Sequence, residues 1–298
     1  KSKKAKKNLN KEYLPSAGYA RYRDEVVKLA LGAEAKSVQE KRVACVQSLS
    51  GTGSLRLCAV FISKFFPKAN VYVPQQTWGP HILICESERL TVQRYRYYNA
   101  KTSCIDFDGL KQDLMRAPNN SVIMLHACCH NPTGCDLNHE QWNEICSICV
   151  SKKFVPWFDM AYQGFATGDL DADAYPIRLF ERRGVEFLLS QSFAKNLGLY
   201  GERVGSCMVV CSDPAQVKCI QTQISLAVRG MYSTPPSHGA MIATTILTDP
   251  ELLRLWKQEL YHMVQRLRSM RRKLRQHLEE LATPGTWSYL TEQAGMFS

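Results

Sequence analysis

Residues 190–205, SQSFAKNLGLYGERVG, hold a lysine, an arginine and several hydroxyls in one turn-rich stretch between two apolar runs. Lys195 has the widest chemistry. An amine set among small residues and shielded from water loses part of its affinity for a proton, and a neutral amine can form a Schiff base with a carbonyl. Ser192 stands before it and Arg203 after it. A hydroxyl donor and a planar guanidinium fork suit a phosphate.

A single loop lysine is ordinarily solvated surface, so its company decides. Asp159 lies inside the apolar run FVPWFDMAY, where a carboxylate is costly unless a cation pairs with it; a protonated ring nitrogen would do so. Tyr162 follows at or past the end of the same run. SGTGSL, from Ser50, reads as a glycine-rich turn opening a helix. The N–H groups of Ser50, Gly51 and Thr52 can then face an anion, although no GK[ST] ending makes it a nucleotide loop. QTWGPH sets Trp78 and His81 in a loop, where the indole could be core or could stack on a flat heteroaromatic ligand. HNPTG is a turn that presents Asn131, with His126 and His130 close by and no metal-binding histidine spacing. A lysine for a Schiff base, a phosphate cradle, an aspartate for a ring N–H and an aromatic to stack together match the needs of pyridoxal phosphate.

The elements that must position these residues are apolar runs alternating with helical stretches: VACVQSL, NVYVPQ, VIMLHACC, FVPWFDMAY, EFLLSQS and SCMVVCS. Such alternation predicts an α/β fold with a largely parallel sheet, and in such sheets chemistry gathers where strands end. From Pro250 a long helical pattern begins, with Leu252, Leu255, Leu260, Met263, Leu267, Met270, Leu274 and Leu278 as an apolar stripe opposite a basic face.

At 298 residues and 45% hydrophobic, the chain can bury a large core and part of a second unit. No apolar run is long enough for a membrane span, and the lysine-rich start lacks the features of a secretory signal, so a soluble intracellular protein is expected. The 12 cysteines read as free thiols; Cys146 and Cys149 form a CxxC on the apolar face of one helix, which favours packing over a metal. Cys128 and Cys129 are expected on opposite faces of a strand. The net charge of +11 comes largely from the start and from RLRSMRRKLRQ. With no nucleic-acid motif beside it, that charge reads as a solvated face.

Six motifs in order, SGTGSL, QTWGPH, HACCHNPTG, WFDMAYQGF, SFAKNLGLYGERVG and RGMYSTPPSHGA, closely resemble the aspartate aminotransferases, fold-type I enzymes that use pyridoxal phosphate. The match runs from EYLP at Glu12 to EQAGMFS at the end. The resemblance implies a seven-stranded-type, mostly parallel sheet sandwiched by helices, with a large cofactor-binding domain over 1–260 and the end of the long helix plus part of a small domain over 261–298. Lys195 would carry the cofactor as a Schiff base and then move the substrate's Cα proton. Asp159 would keep the pyridine nitrogen protonated, with His81 and His126 holding Asp159 from behind. Asn131 and Tyr162 would hydrogen-bond the cofactor's phenolic oxygen, Trp78 would cover the ring, and Ser50, Gly51, Thr52, Ser192 and Arg203 would hold the phosphate. Trp78 and Asn131 would also meet the substrate. A homodimer with shared sites is implied, Tyr13 of the partner subunit reaching the phosphate and Arg229 of the partner subunit the substrate's side-chain carboxylate. That arginine favours dicarboxylates, hence transfer of the amino group from L-aspartate to 2-oxoglutarate, giving oxaloacetate and L-glutamate.

Two departures accompany the match. Thr234 stands where the family pattern has asparagine, and the family's arginine for the substrate α-carboxylate lies beyond GMFS, where this sequence stops. The sequence alone therefore carries three readings. The first is an aspartate aminotransferase, with the cytosol as the expected compartment and the mitochondrion as the alternative. The second is an aminotransferase of broader aromatic or kynurenine specificity, and the third a cofactor-binding module impaired in catalysis. No metal, nucleic-acid or membrane partner is expected.

Overall fold

The computed structural model describes residues 10–295; residues 1–9 of the basic start and 296–298 of the last motif lie outside the described residues. Each apolar run becomes a strand because its β-branched and aromatic side chains suit a sheet covered on both faces. In chain order the strands are β1 (Val43–Leu49), β2 (Val71–Pro74), β3 (Val92–Tyr95), β4 (Tyr98–Asn99), β5 (Cys104–Ile105), β6 (Val122–His126), β7 (Val155–Met160), β8 (Phe187–Ser192) and β9 (Val204–Val210). β4 and β5 form a small antiparallel pair, and the other seven make one sheet in the order β1-β9-β8-β7-β6-β2-β3.

Within that sheet β9 alone runs against its neighbours. It pairs antiparallel with both β1 and β8, whereas β8–β7, β7–β6, β6–β2 and β2–β3 are parallel. Six strands therefore end at one edge of the sheet. β3, VQRY, is absent from the apolar runs read in the sequence, because it is an edge strand with Gln93 and Arg94 exposed.

Helices cover both faces and define two apolar layers. One holds Trp142, Phe158, Phe180 and Phe187; the other holds Leu57, Cys58, Ile62, Val73 and Trp157. The helix Ser50–Phe65 buries Leu55, Cys58, Ala59 and Ile62, a helical spacing that presents one stripe to the sheet. Helix His139–Lys152 starts with a capping box between Asn138 and Gln141 and buries Cys146 and Cys149, so the CxxC is core packing. Cys128 and Cys129 do not lie in a strand: β6 stops at His126, and Cys129 has φ +51°.

The helix Pro250–Glu280 begins where Asp249 accepts hydrogen bonds from the N–H groups of Glu251 and Leu252, and it runs unbroken through 260 and 261. Its buried side chains are Trp256, Leu260 and Val264, a narrower contact than the stripe expected from sequence. Leu252, Leu255, Met263, Met270 and Leu274 are exposed, since only one face of the first half meets the sheet's helical cover. No helix among the described residues is long and apolar enough to cross a membrane.

Candidate active site

The C-terminal edge of the parallel strands carries the side chains read as reactive. β1 leads into Ser50, β2 into Thr77 and Trp78, β6 into His126 and Asn131, and β8 into Lys195, while Asp159 is the fifth residue of β7. Register sets them side by side: His126 is opposite Asp159, Asp159 opposite Ser190, and Ser192 opposite Gly205. A cavity of about 480 Å³ lies over this edge. Its walls include Ser50, Gly51, Thr52, Trp78, His126, Asn131, Asp159, Tyr162, Ser192, Lys195 and Arg203. Chain positions up to 153 apart thus converge on one volume, as the crevice at strand ends in α/β sheets requires.

Asp159 ends a directed chain of hydrogen bonds. The Asn131 backbone N–H donates to His126 Nδ1 at 3.2 Å, so a neutral His126 carries its proton on Nε2. That nitrogen lies 3.2 Å from Thr77 Oγ1, and Thr77 lies 2.8 Å from His81 Nδ1. His81 Nε2 then donates to Asp159 Oδ2 at 3.0 Å. A backbone amide cannot reverse its polarity, so the order of donors is fixed from its start. Burial opposes the Asp159 carboxylate, but the hydrogen bond from His81 and the electrostatic influence of His81, His126 and Lys195 hold its pKa below the ordinary value. His81 itself sits in the helix Pro80–Ser87 rather than in the loop expected, because Pro80 at the first helical position starts the helix directly after Gly79.

At another side of the cavity the hydroxyls of Ser50 and Ser192 meet at 2.9 Å, and Ser192 Oγ also accepts from the Ala194 N–H at 3.2 Å. Ser50 opens its helix with φ +60°, but its N–H donates to the Arg203 carbonyl at 3.1 Å rather than facing an anion as expected, which leaves its hydroxyl for that role; Arg203 has φ +52°. Two residues in a left-handed conformation that glycine would adopt more readily are an observable local strain. They turn a helix N-terminus and a guanidinium toward the same space. Gly51 keeps that space open: a β-carbon there would stand 3.1 Å from Ser192 Cβ.

Lys195 follows β8 in a turn and is half-buried, with Nζ 5.2 Å from the centre of the Tyr162 ring. Burial lowers its pKa, Asp159 opposes that and Arg203 adds to it. Tyr162 shares a hydrogen bond with the Asn131 side chain, while burial and Asp159 push its phenol up, so it stays protonated. Trp78 presents its indole to the cavity and packs edge-on to His81 at 5.4 Å.

Tyr13 and Arg229 are not brought to this cavity. Tyr13 is 86% exposed, and Arg229, also exposed, donates to Ser233 Oγ at 2.8 Å. The two segments that carry them meet where Ser16 Oγ donates to the Ser233 carbonyl at 2.9 Å. Thr77, Pro132, Ala161 and Tyr200 also belong to the site or its hydrogen-bond chain without having been singled out from sequence, and Cys128 and Cys129, read there only as a pair on opposite faces of a strand, both line the cavity. Thr77 stood inside QTWGPH, but a lone threonine there carries no signal until two histidines are seen on either side of it.

The donor set fits pyridoxal phosphate: hydroxyls, helix amides and a guanidinium for a phosphate, a carboxylate kept ionised for a ring nitrogen, and a depressed amine for its carbonyl. Among the described residues no group of three or more histidine, cysteine, aspartate or glutamate side chains could hold a metal ion.

Comparison with known proteins agrees with this chemistry. The chain is 46% identical over 294 residues to the mitochondrial aspartate aminotransferase of Xenopus tropicalis, covering 98% of this chain and 69% of that protein. It is 46% identical over 288 residues to the cytoplasmic aspartate aminotransferase of Oryza sativa subsp. japonica, covering 97% and 71%. Its fold superimposes with a TM-score of 0.95, at 37% identity over 97% of this chain and 72% of the other, on the aromatic-amino-acid aminotransferase from Burkholderia pseudomallei covalently bound to pyridoxal phosphate. The family model described as aminotransferase class I and II matches residues 1–298, and the chain, a fold-type I α/β protein with its reactive groups at the sheet's carboxyl edge, belongs to that family.

Proposed function

We propose that this protein is an aspartate aminotransferase that uses pyridoxal phosphate to move the amino group of L-aspartate to 2-oxoglutarate, giving oxaloacetate and L-glutamate. The observation that carries the reading is the depressed amine of Lys195 in the same cavity as an ionised Asp159 and the Ser50–Ser192–Arg203 anion cradle. When bound, pyridoxal phosphate supplies a carbonyl for amines and a ring that accepts electrons from the bond broken at the substrate's Cα. Lys195 Nζ would hold the cofactor through that carbonyl and would be the base placed to take the substrate's Cα proton. Asp159, oriented by His81 and behind it Thr77 and His126, would stabilise a proton on the ring nitrogen. Tyr162 and Asn131 would orient the phenolic oxygen, and Trp78, which lines the cavity, would exclude water from the ring. Ser50, Gly51, Thr52, Ser192 and Arg203 hold the phosphate.

A homodimer completes the site in this reading. Tyr13 and Arg229, exposed and joined through Ser16 and Ser233, suit reaching a neighbouring subunit's phosphate and substrate carboxylate. The large domain is taken as 1–260 and the small-domain part as 261–298. The cytosol is the proposed compartment, as for the rice relative, and cell fractionation distinguishes it from the mitochondrion of the frog relative.

The test follows the absorbance of the protein loaded with pyridoxal phosphate when L-aspartate is added without a keto acid. Conversion of the visible band to the amino form of the cofactor is expected for the native protein, and no such band for Lys195→Ala. A protein that takes up no cofactor refutes the reading. Specificity is tested by Arg229→Leu, expected to lower kcat/KM for aspartate by at least about 100-fold, since a carboxylate would lose a bidentate partner. Equal kcat/KM for aspartate and phenylalanine in the native protein would favour the reading of broader specificity; broad specificity is named for the Leishmania mexicana aminotransferase structure that this chain resembles at 43% identity.

A further inference from the structure

His130 does not line the cavity and takes no part in the chain of hydrogen bonds to Asp159, yet it is buried to 2% exposure beside that chain. Its ring lies flat against Tyr97 on one side, at 3.9 Å and 15°, and against His126 on the other, at 4.1 Å and 22°. Tyr97 is anchored by its hydroxyl to the Cys135 carbonyl at 2.6 Å. His130 is anchored through Nδ1 to Thr133 Oγ1 at 2.9 Å and through its backbone N–H to Asp136 Oδ1 at 2.8 Å. Thr133 Oγ1 accepts from the Cys135 N–H, which leaves its own proton for His130 Nδ1. His130 Nε2 is buried without a hydrogen-bond partner.

An imidazole kept in the interior with one nitrogen unpaired is costly unless its ring contributes something that offsets the bare nitrogen. What this ring touches is His126, the residue that receives the first hydrogen bond of the chain. We propose that His130 is a positioning residue for the reaction: pressed between Tyr97 and His126, its flat face fixes the plane of His126, so that Nδ1 stays on the Asn131 N–H and the chain that ends on Asp159 keeps its direction. A proton added to His126 would sit on Nδ1, facing the Asn131 N–H, donor against donor, and the chain would lose its origin. The groups facing His126 are His130 from the turn after β6, His81 from the helix Pro80–Ser87, Thr77 from the loop before it and Asp159 from β7. Burial first, then His81, disfavour a proton on His126, and Asp159 favours one; the balance leaves His126 at about 3. Burial, His126 and His81 likewise hold His130 well below its ordinary value. Two neutral rings can therefore stack without repulsion.

The inference rests on the reading that pyridoxal phosphate meets Asp159, so the experiment reads His126 itself as well as the cofactor. Histidine-labelled protein is titrated by nitrogen NMR with and without pyridoxal phosphate, and the visible band of the loaded protein is titrated in parallel. In the native protein His126 is expected to stay neutral, with its proton on Nε2, from pH 5 to pH 8. His130→Leu fills the volume but offers no flat face. In it the His126 ring loses its flat support, so its nitrogen signals are expected to average between the Nε2–H and Nδ1–H forms while burial still keeps the ring neutral, and the visible titration is expected to shift by about half a pH unit or more. His130→Phe keeps a ring and is expected to leave the His126 tautomer as in the native protein. Should His130→Leu not fold, Thr133→Val, which unties Nδ1, carries the same expectation. The proposal is overturned if native His126 holds its proton on Nδ1, or if the folded variant leaves both His126 and the visible titration unchanged. A native protein that behaves as expected at His126 but takes up no cofactor would instead sink the functional reading and leave the ring stack standing.

Discussion

Lys195 and Asp159 face one cavity with opposite charge tendencies, and each is steered by different neighbours. Burial lowers the lysine pKa against the pull of Asp159, whereas hydrogen bonding from His81 keeps the aspartate ionised against burial. Tyr162 lies between these two tendencies, its phenol raised by burial and by Asp159 and its hydroxyl bonded to Asn131. It therefore remains a donor across the working pH range, and a donor to the cofactor's phenolic oxygen favours the ionised oxygen. Tyr162→Phe removes one such bond, worth about 1 kcal/mol, so the visible titration of the loaded protein is expected to move upward by roughly one pH unit. The titration of the variant against the native protein checks this. An unmoved midpoint would mean that the hydroxyl points elsewhere.

At the scale of elements, the site depends on how closely β9 passes the start of the helix Ser50–Phe65. A β-carbon on Gly205 would stand 2.5 Å from the Gln191 carbonyl oxygen and 2.6 Å from the Ser50 carbonyl carbon. Both are backbone atoms that the sheet and helix hold in place, so no side-chain rotation relieves the clash. Gly205→Ala is expected to destabilise by about 1–3 kcal/mol and to weaken cofactor binding by displacing Ser50. A melting curve and a pyridoxal phosphate titration read the two effects separately; retention of both would show that the backbone yields there. Much of this was legible beforehand. Apolar runs marked six of the seven sheet strands, and the residue after a run was the right place to look because parallel strands end together. β3 was missed since Gln93 and Arg94 give an edge strand no apolar signal. The antiparallel course of β9 is a long-range pairing that no local pattern encodes. At the site, motif spacing identified the side chains that line the cavity but not the Tyr97–His130–His126 stack. That arrangement depends on a turn folding back over residues 97 and 133.

For the molecule as a whole, groups in and behind the site also set how its stability varies with pH, and two of them, His126 and Asp136, act with opposite sign. His126 titrates at about 3 in the folded protein, below the roughly 6.5 of an unfolded histidine. Between those values the unfolded chain binds the proton and the folded chain does not, so stability falls as the pH drops below about 6.5. At pH 5 the loss from this residue is about 2 kcal/mol, and His130 adds to it in the same direction. Asp136, which accepts the N–H groups of Cys129 and His130, is pushed up to about 6 by burial despite those bonds. Its folded state binds the proton first, so between about 6 and 4 acidification adds stability, about 1 kcal/mol by pH 5. Denaturant unfolding at pH 7.5 and pH 5, at fixed protein and cofactor concentration, separates the two. His126→Gln is expected to lose less stability on acidification than the native protein, and Asp136→Asn to lose more. Equal pH slopes in all three proteins would mean that the turn after β6 admits water and that neither group is held away from its ordinary titration.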